Sequence, residues 1–126
     1  MDGIVNRLSG RIDKQIRIAT VGVFSQILTK TPVDTGRAKG NWIPSVGSPV
    51  ETERDLDDKS GAAGLAEIKT TVPEKAGKVV YLSNNLPYIR RLEEGWSPQA
   101  SPGAMVRLSV NDFPKMLAAA FRVGDL

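Results

Sequence analysis

The chain has 126 residues, 40% hydrophobic and 6% aromatic, enough for one domain with a thin core. It contains neither cysteine nor histidine, which excludes disulfides, thiol and Ser–His nucleophiles and the usual zinc sites. The formal net charge is +3, with +3 over residues 1–30, −3 over 51–61 and +3 over the remainder, a mixture unlike the concentrated footprint of a dedicated nucleic-acid binder.

No apolar run approaches the ~18 residues of a bilayer span. The start Met1-Asp2-Gly3 lacks the basic-then-apolar order of a signal peptide. A single domain over 1–126, without membrane association, is therefore expected. A domain this small buries only about two-thirds of its unfolded surface, so subunit contacts are a natural source of further stability.

Val5, Leu8, Ile12, Ile16, Ala19, Val23 and Ile27 recur at three- and four-residue steps and predict a helix from about 3 to 30. Thr31-Pro32 ends it, because the residue before proline is pushed out of helical geometry. Arg7, Arg11, Lys14 and Arg17 form a basic stripe on its first half, a candidate DNA-facing surface. Ile18, Val21, Phe24 and Leu28 make the second half apolar on further sides. Either that half runs through the domain's own core or it packs on a neighbouring subunit.

Thr31-Pro32-Val33-Asp34-Thr35-Gly36-Arg37 is a turn, since proline fixes φ, aspartate bonds the backbone and glycine accepts positive φ. An extended piece from 38 to 43 follows, holding Trp42, with Pro44 and Pro49 keeping the next stretch irregular. Residues 47–61 are polar and acidic and predict a mobile surface loop. Ser60 is placed to cap a helix from about 61 to 72 built on Ala63, Ala66 and Ile68. Residues 78–83, β-branched and aromatic, predict a strand. Asn84-Asn85 turns the chain, and Pro87 opens a short helix over 87–94 with Tyr88, Ile89 and Leu92 on one side. Gly95 supplies its left-handed cap. A loop over 96–103 precedes a last helix from about 104 to 123. That helix has Val106, Val110, Phe113, Leu117, Ala120 and Phe121 on one face and a kink at Pro114. The competing reading makes 106–110 a strand.

These elements give an α+β domain: a small sheet against long N- and C-terminal helices, with a short helix after Asn-Asn-x-Pro-Tyr. Catalytic motifs are missing. Gly61-Ala62-Ala63-Gly64 lacks the lysine and hydroxyl of a phosphate loop, and the acidic run fails the calcium-loop spacing. Glu93 and Glu94 point about 100° apart on a helix and make no acid–base pair. The carboxylates are expected to be solvated surface. No cofactor, metal or small-molecule substrate is expected.

Two stretches together, Thr-Pro-Val-Asp-Thr-Gly-Arg at 31–37 and Tyr-Leu-Ser-Asn-Asn-Leu-Pro-Tyr-Ile-Arg-Arg-Leu-Glu-Glu-Gly-Trp-Ser-Pro-Gln-Ala at 81–100, resemble a family of phage proteins. These are the tail-completion, neck or head–tail joining proteins of long non-contractile-tailed bacteriophages and prophages. The likeness covers 31–44 and 78–110 in detail and the rest in layout. Pro98 and Pro102 depart from the looser, more basic loop expected there. The resemblance implies a non-enzymatic virion protein, assembled in the host cytoplasm into a homo-oligomeric ring, a hexamer. Its partners would be connector and neck proteins on one side and tail-tube or terminator proteins on the other, with genomic DNA in the bore.

Pro32, Asp34, Thr35, Gly36, Asn84, Asn85, Pro87, Tyr88 and Gly95 are the motif's structural positions. Candidate subunit contacts are Ile18, Val21, Phe24 and Leu28 on the first helix, and Trp96, Ser97 and Gln99 in the loop. The alternatives are a small DNA-binding module using Arg7, Arg11, Lys14 and Arg17, and a carboxylate-based hydrolase.

Overall fold

The computed structural model describes residues 2–75, 77–95, 103 and 105–124, with side chains described between Ile12 and Ala118. Helix α1 (Asp2–Thr29) leads, followed by the single turn α2 (Arg37–Gly40) and strand β1 (Ile43–Val46). Helix α3 (Ala62–Thr71), strand β2 (Val80–Ser83) and the short α4 (Ile89–Glu93) come next. The chain closes with α5 (Val106–Asn111) and α6 (Phe113–Gly124). The architecture is α+β: one antiparallel two-stranded sheet among helices, with α1 packed along α6 and also against α3 and α5.

At about 1.5 Å per residue α1 is the longest element, and the core is assembled along it. Ala19, Val23, Ile27 and Leu28 are buried, and Leu28, Ile68 and Met105 are fully enclosed in one cluster with Trp42 and Val72. The predicted apolar face is correct from Ala19 onward and shifted between Ile12 and Gln15. Ile12 is 46% exposed while Gln15 is buried. Leu28, read as a candidate subunit contact, is core and cannot also be surface.

The turn after α1 is fixed by one buried side chain. Thr31 donates its hydroxyl to the Ile27 carbonyl (2.8 Å) and accepts the Trp42 indole N–H (2.8 Å). Gly36 follows with φ 88°, and a Cβ there would sit 2.6 Å from the Lys59 nitrogen. Gly40 is pressed against the Leu56 carbonyl, so α2 tolerates no side chain at either position. The predicted extended piece over 38–43 is thus replaced by a helical turn, and regular strand begins only at Ile43. Pro44 lies inside β1 instead of breaking it. A two-stranded sheet leaves each strand one unpaired edge, where the missing N–H costs nothing.

Residues 47–61 hold no helix or strand, as their composition suggests, but the loop is fastened rather than loose. Asn41, 1% exposed, accepts the Arg54 N–H (2.8 Å) and donates to the Arg54 carbonyl (3.0 Å). The Arg54 side chain bonds the Gly40 carbonyl and forks onto Glu67 of α3 (2.6 and 2.9 Å). Asp58 donates its N–H to the Gly36 carbonyl (2.9 Å), and its carboxylate accepts the Gly64 N–H (3.0 Å) inside the first turn of α3. Gly61, not Ser60, is the cap residue of α3, although the Ser60 hydroxyl does accept the Ala62 N–H (3.3 Å). Gly64 and Ile68 form its inner face; Ala63 and Ala66 are exposed.

The C-terminal region is helical, which settles 106–110 against the strand. Pro114 cannot donate to the Val110 carbonyl, and the predicted single helix separates at Asp112 into α5 and α6. The buried positions there are Met105 and Ser109, while Val110 is 52% and Leu108 41% exposed. Asp112 also accepts the Gln26 amide from α1 (2.9 Å).

Removing the Thr31 hydroxyl by Thr31→Val strands the buried indole N–H of Trp42. Denaturant unfolding is expected to show a loss of about 1–3 kcal/mol, the cost of an unsatisfied buried donor; an unchanged midpoint would contradict the turn's role. In native-state hydrogen exchange, the amides of Arg54 and Asp58 are expected to be protected well above those of Glu51 and Glu53. Asn41→Ala should selectively release Arg54; uniform fast exchange across 47–61 would restore the mobile loop.

Candidate contact site

The two stretches that carry the family resemblance meet in space. Asn84 donates its side-chain amide to the Ala38 carbonyl (2.9 Å) across 46 residues of chain, and its carbonyl oxygen accepts the Leu86 N–H (3.2 Å) to form the turn after β2. Asn85 donates to the carbonyls of Val50 (2.8 Å) and Thr52 (3.4 Å), binding the same turn to the acidic loop. Leu86 is buried beneath the turn. With the chain held at Asn84, α4 lies over the 31–37 turn.

Between them is a cavity of about 410 Å³. Pro32, Val33, Asp34 and Thr35 form one wall and Tyr88 and Leu92 the other. The helical turn at 87–94 is shorter than predicted. Pro87 and Tyr88 form a turn and α4 starts at Ile89. Gly95 has φ 91° and bonds the Leu92 carbonyl (3.2 Å), the left-handed end expected of it. Tyr88 is 38% exposed, so it stands at the mouth of the cavity and is not the packing anchor that the spacing of Tyr88 and Leu92 suggests.

The cavity's chemistry is modest. Asp34 and Thr35 are exposed on its rim, and the Thr35 hydroxyl accepts the Arg37 N–H (3.2 Å). Arg37 points to Glu53 (3.5 Å) and Asp55 (3.6 Å), exposed pairs of the kind worth about 0–1 kcal/mol. The arrangement suits an apolar side chain entering between Val33 and Leu92, with hydrogen-bonding groups around it. Among the described residues, no three carboxylates cluster as metal ligands would.

The other candidate residues lie elsewhere. Ile18 is 40% exposed on α1, whereas Val21 and Phe24 are half-buried against the core cluster. Trp96, Ser97 and Gln99 lie outside the described residues, as do the side chains of Arg7 and Arg11. Lys14 is exposed, but Arg17 is tied inward, donating to the carbonyls of Lys69 (2.6 Å) and Val72 (3.4 Å). The basic stripe therefore does not continue as free charge through Arg17.

Composition alone hides the structural carboxylates. Asp58 is buried, Glu67 takes the Arg54 fork, and Glu93 accepts the Val106 N–H (2.7 Å) at the start of α5. The expectation of solvated carboxylates fails at these three positions. A single arginine placed among acids at 51–58 is the one signal that could have marked the loop as anchored.

No family model, curated protein or solved structure matches the chain.

Tyr88→Ala is expected to lower stability by less than about 2 kcal/mol, because a half-exposed ring leaves little cavity behind. Leu86→Ala, in the same turn but buried, should cost more, about 2–5 kcal/mol. Equal losses in urea unfolding would contradict this placement of the two side chains.

Proposed function

We propose that the chain is a structural, non-enzymatic subunit of a tailed-phage virion. It would form a ring at the head–tail joint that completes the tail and lets DNA pass. The observation that carries this reading is the union of the two resemblance-bearing stretches. The Asn84–Ala38 bond and the shared cavity make 31–38 and 84–92 one surface, although the chain separates them widely.

A joining protein needs shape and contact groups more than reactive ones, and this surface supplies those. Its exposed members, Asp34, Thr35 and Tyr88, can be covered by a neighbour without disturbing the buried ones that hold the turn. Closed rings come from heterologous contacts, in which two different patches of each subunit meet. The cavity and the half-exposed part of α1 around Ile18 are two distinct candidate patches. A hexamer is the expected ring.

The alternative of a DNA-binding module draws on the recess beside α1, where Lys14, Arg17 and Lys75 lie together with Asp13 and Glu74. The internal bonds of Arg17 and the two acids in that recess weaken it.

Substituting the exposed rim tests the first reading. Asp34→Arg should leave the melting temperature within about 2 °C, as surface changes usually do. In the phage or prophage carrying this chain, it should yield DNA-filled heads and separate tails. Infectious particles at normal titre from Asp34→Arg and Thr35→Arg would overturn the contact role. A strictly monomeric native mass in concentrated protein and in purified virions would overturn the ring.

A further inference from the structure

The two edges of the β1–β2 ribbon are unequal. The Gly47 N–H donates to the Val79 carbonyl (2.8 Å), one step beyond the Val46–Val80 pair. Bonded and non-bonded pairs alternate along an antiparallel ladder. Ser45–Tyr81 and Ile43–Ser83 are then the bonded pairs, and Pro44–Leu82 and Val46–Val80 the non-bonded ones. Pro44 agrees, since it has no N–H to give its partner. The backbone groups of Val80 and Leu82 consequently point away from β1, just as those of Pro44 and Val46 point away from β2. Proline blunts the β1 edge. Strand β2, Val80–Ser83, carries no proline. Among the described residues no hydrogen bond engages the outward groups of Val80 or Leu82.

Charge differs along the same strand. At its entry, exposed Lys14, Lys75 and Lys78 rim the recesses between α1 and the segment leading into Val80, with Asp13 and Glu74 offsetting part of that charge. At its exit, Asn85 holds the acidic loop, where Glu51 and Asp57 are exposed. The loop has spare backbone donors too: among the described residues nothing accepts the N–H of Glu51 or Glu53.

We infer that the open β2 edge and its lysine rim form one half of a head-to-tail contact between copies of this chain, the other half being segment 51–57 of the next copy. A strand edge offers backbone bonds to an incoming segment, and the lysine rim at its entry attracts an acidic one. Two different patches meeting in this way propagate around a ring and do not close as a two-fold dimer. The inference rests on the ring reading and specifies which surfaces build it.

Two charge-reversed proteins test it by sedimentation and native mass. Lys75→Glu/Lys78→Glu reverses one patch and Glu51→Lys/Asp57→Lys the other; none of the four residues is needed for the bonds that hold the loop. Each protein alone should associate at least about tenfold more weakly than wild type, an effect that shrinks as salt screens the charges. An equimolar mixture should assemble again, because reversed patches then meet each other.

Leu82→Pro removes an outward N–H opposite Pro44 and leaves the inner ladder intact; with its fold verified by circular dichroism, it too should fail to associate. Wild-type assembly by the charge-reversed proteins and by a folded Leu82→Pro would overturn this contact while leaving the ring standing. A wild-type chain that never associates removes the ring reading together with it. Normal assembly by Lys75→Glu/Lys78→Glu with loss of salt-sensitive duplex DNA binding would assign the lysines to nucleic acid and overturn the subunit contact.

Discussion

Asn41 does for this fold what a third strand would otherwise do. Its side-chain amide takes both backbone groups of Arg54, donor and acceptor, from a fully enclosed position. A two-stranded ribbon is marginal by itself, and here the neighbouring segment is joined to it by side chains, Asn41 before β1 and Asn85 after β2, instead of a ladder. From that point the guanidinium of Arg54 reaches Gly40 and Glu67, so the turn before β1 and the helix beyond the loop are held by one side chain. Asp58, four residues on, is then in place to bond Gly36 and to hold the first turn of α3. Gly36 and Gly40 are bare because the loop backbone lies directly on them. A buried polar network of this kind stabilises only when fully satisfied. Losing Asn41 would free the backbone of Arg54, while Asp58 keeps its own bonds to Gly36 and to the first turn of α3.

Periodicity made α1 legible from Ala19 onward, because a helix lying along the core buries residues at steps of three and four. It misread the stretch from Ile12 to Gln15, where the buried stripe shifts by less than one turn. The same shift separates the predicted face of the last helix from the buried Met105 and Ser109. Periodicity gives the width of an apolar stripe better than its direction when small or polar residues share the inner face. Turn chemistry at Asn84 and Gly95 was legible because those residues act locally. The strand at Pro44 was not, since whether proline breaks a strand depends on which side the partner lies, a tertiary fact. The loop over 47–61 was read as loose because clustered acids raise its polarity, while its fastening depends on Asn41 and Glu67, distant in sequence.

The site shows the same division. The combination of residues at 31–37 and 84–92 was what marked them in the sequence; that they share a wall was not legible. Thr31, Gly36 and Asn84 turn out to be occupied inside the molecule, and each has a sufficient structural reason for its identity. Asp34 and Tyr88 have none, and Thr35 only an exposed bond from the Arg37 N–H. They are exposed, and neither core packing nor a buried hydrogen bond requires them.

That difference bears on how the resemblance should be weighed. A motif composed of turn formers can persist wherever the same turn must be built, whatever the molecule does. Its buried members therefore support the fold and say little about partners. The case for joining depends on the exposed members and on the outer edge of β2, since among the described residues those are places where contact groups are left without a partner. An edge strand left open carries an association hazard unless something covers it. Pro44 shows how this sheet removes that hazard on one side. Among the described residues no hydrogen bond closes the side of Val80 and Leu82, which is the side that a partner segment would cover if the ring proposal holds.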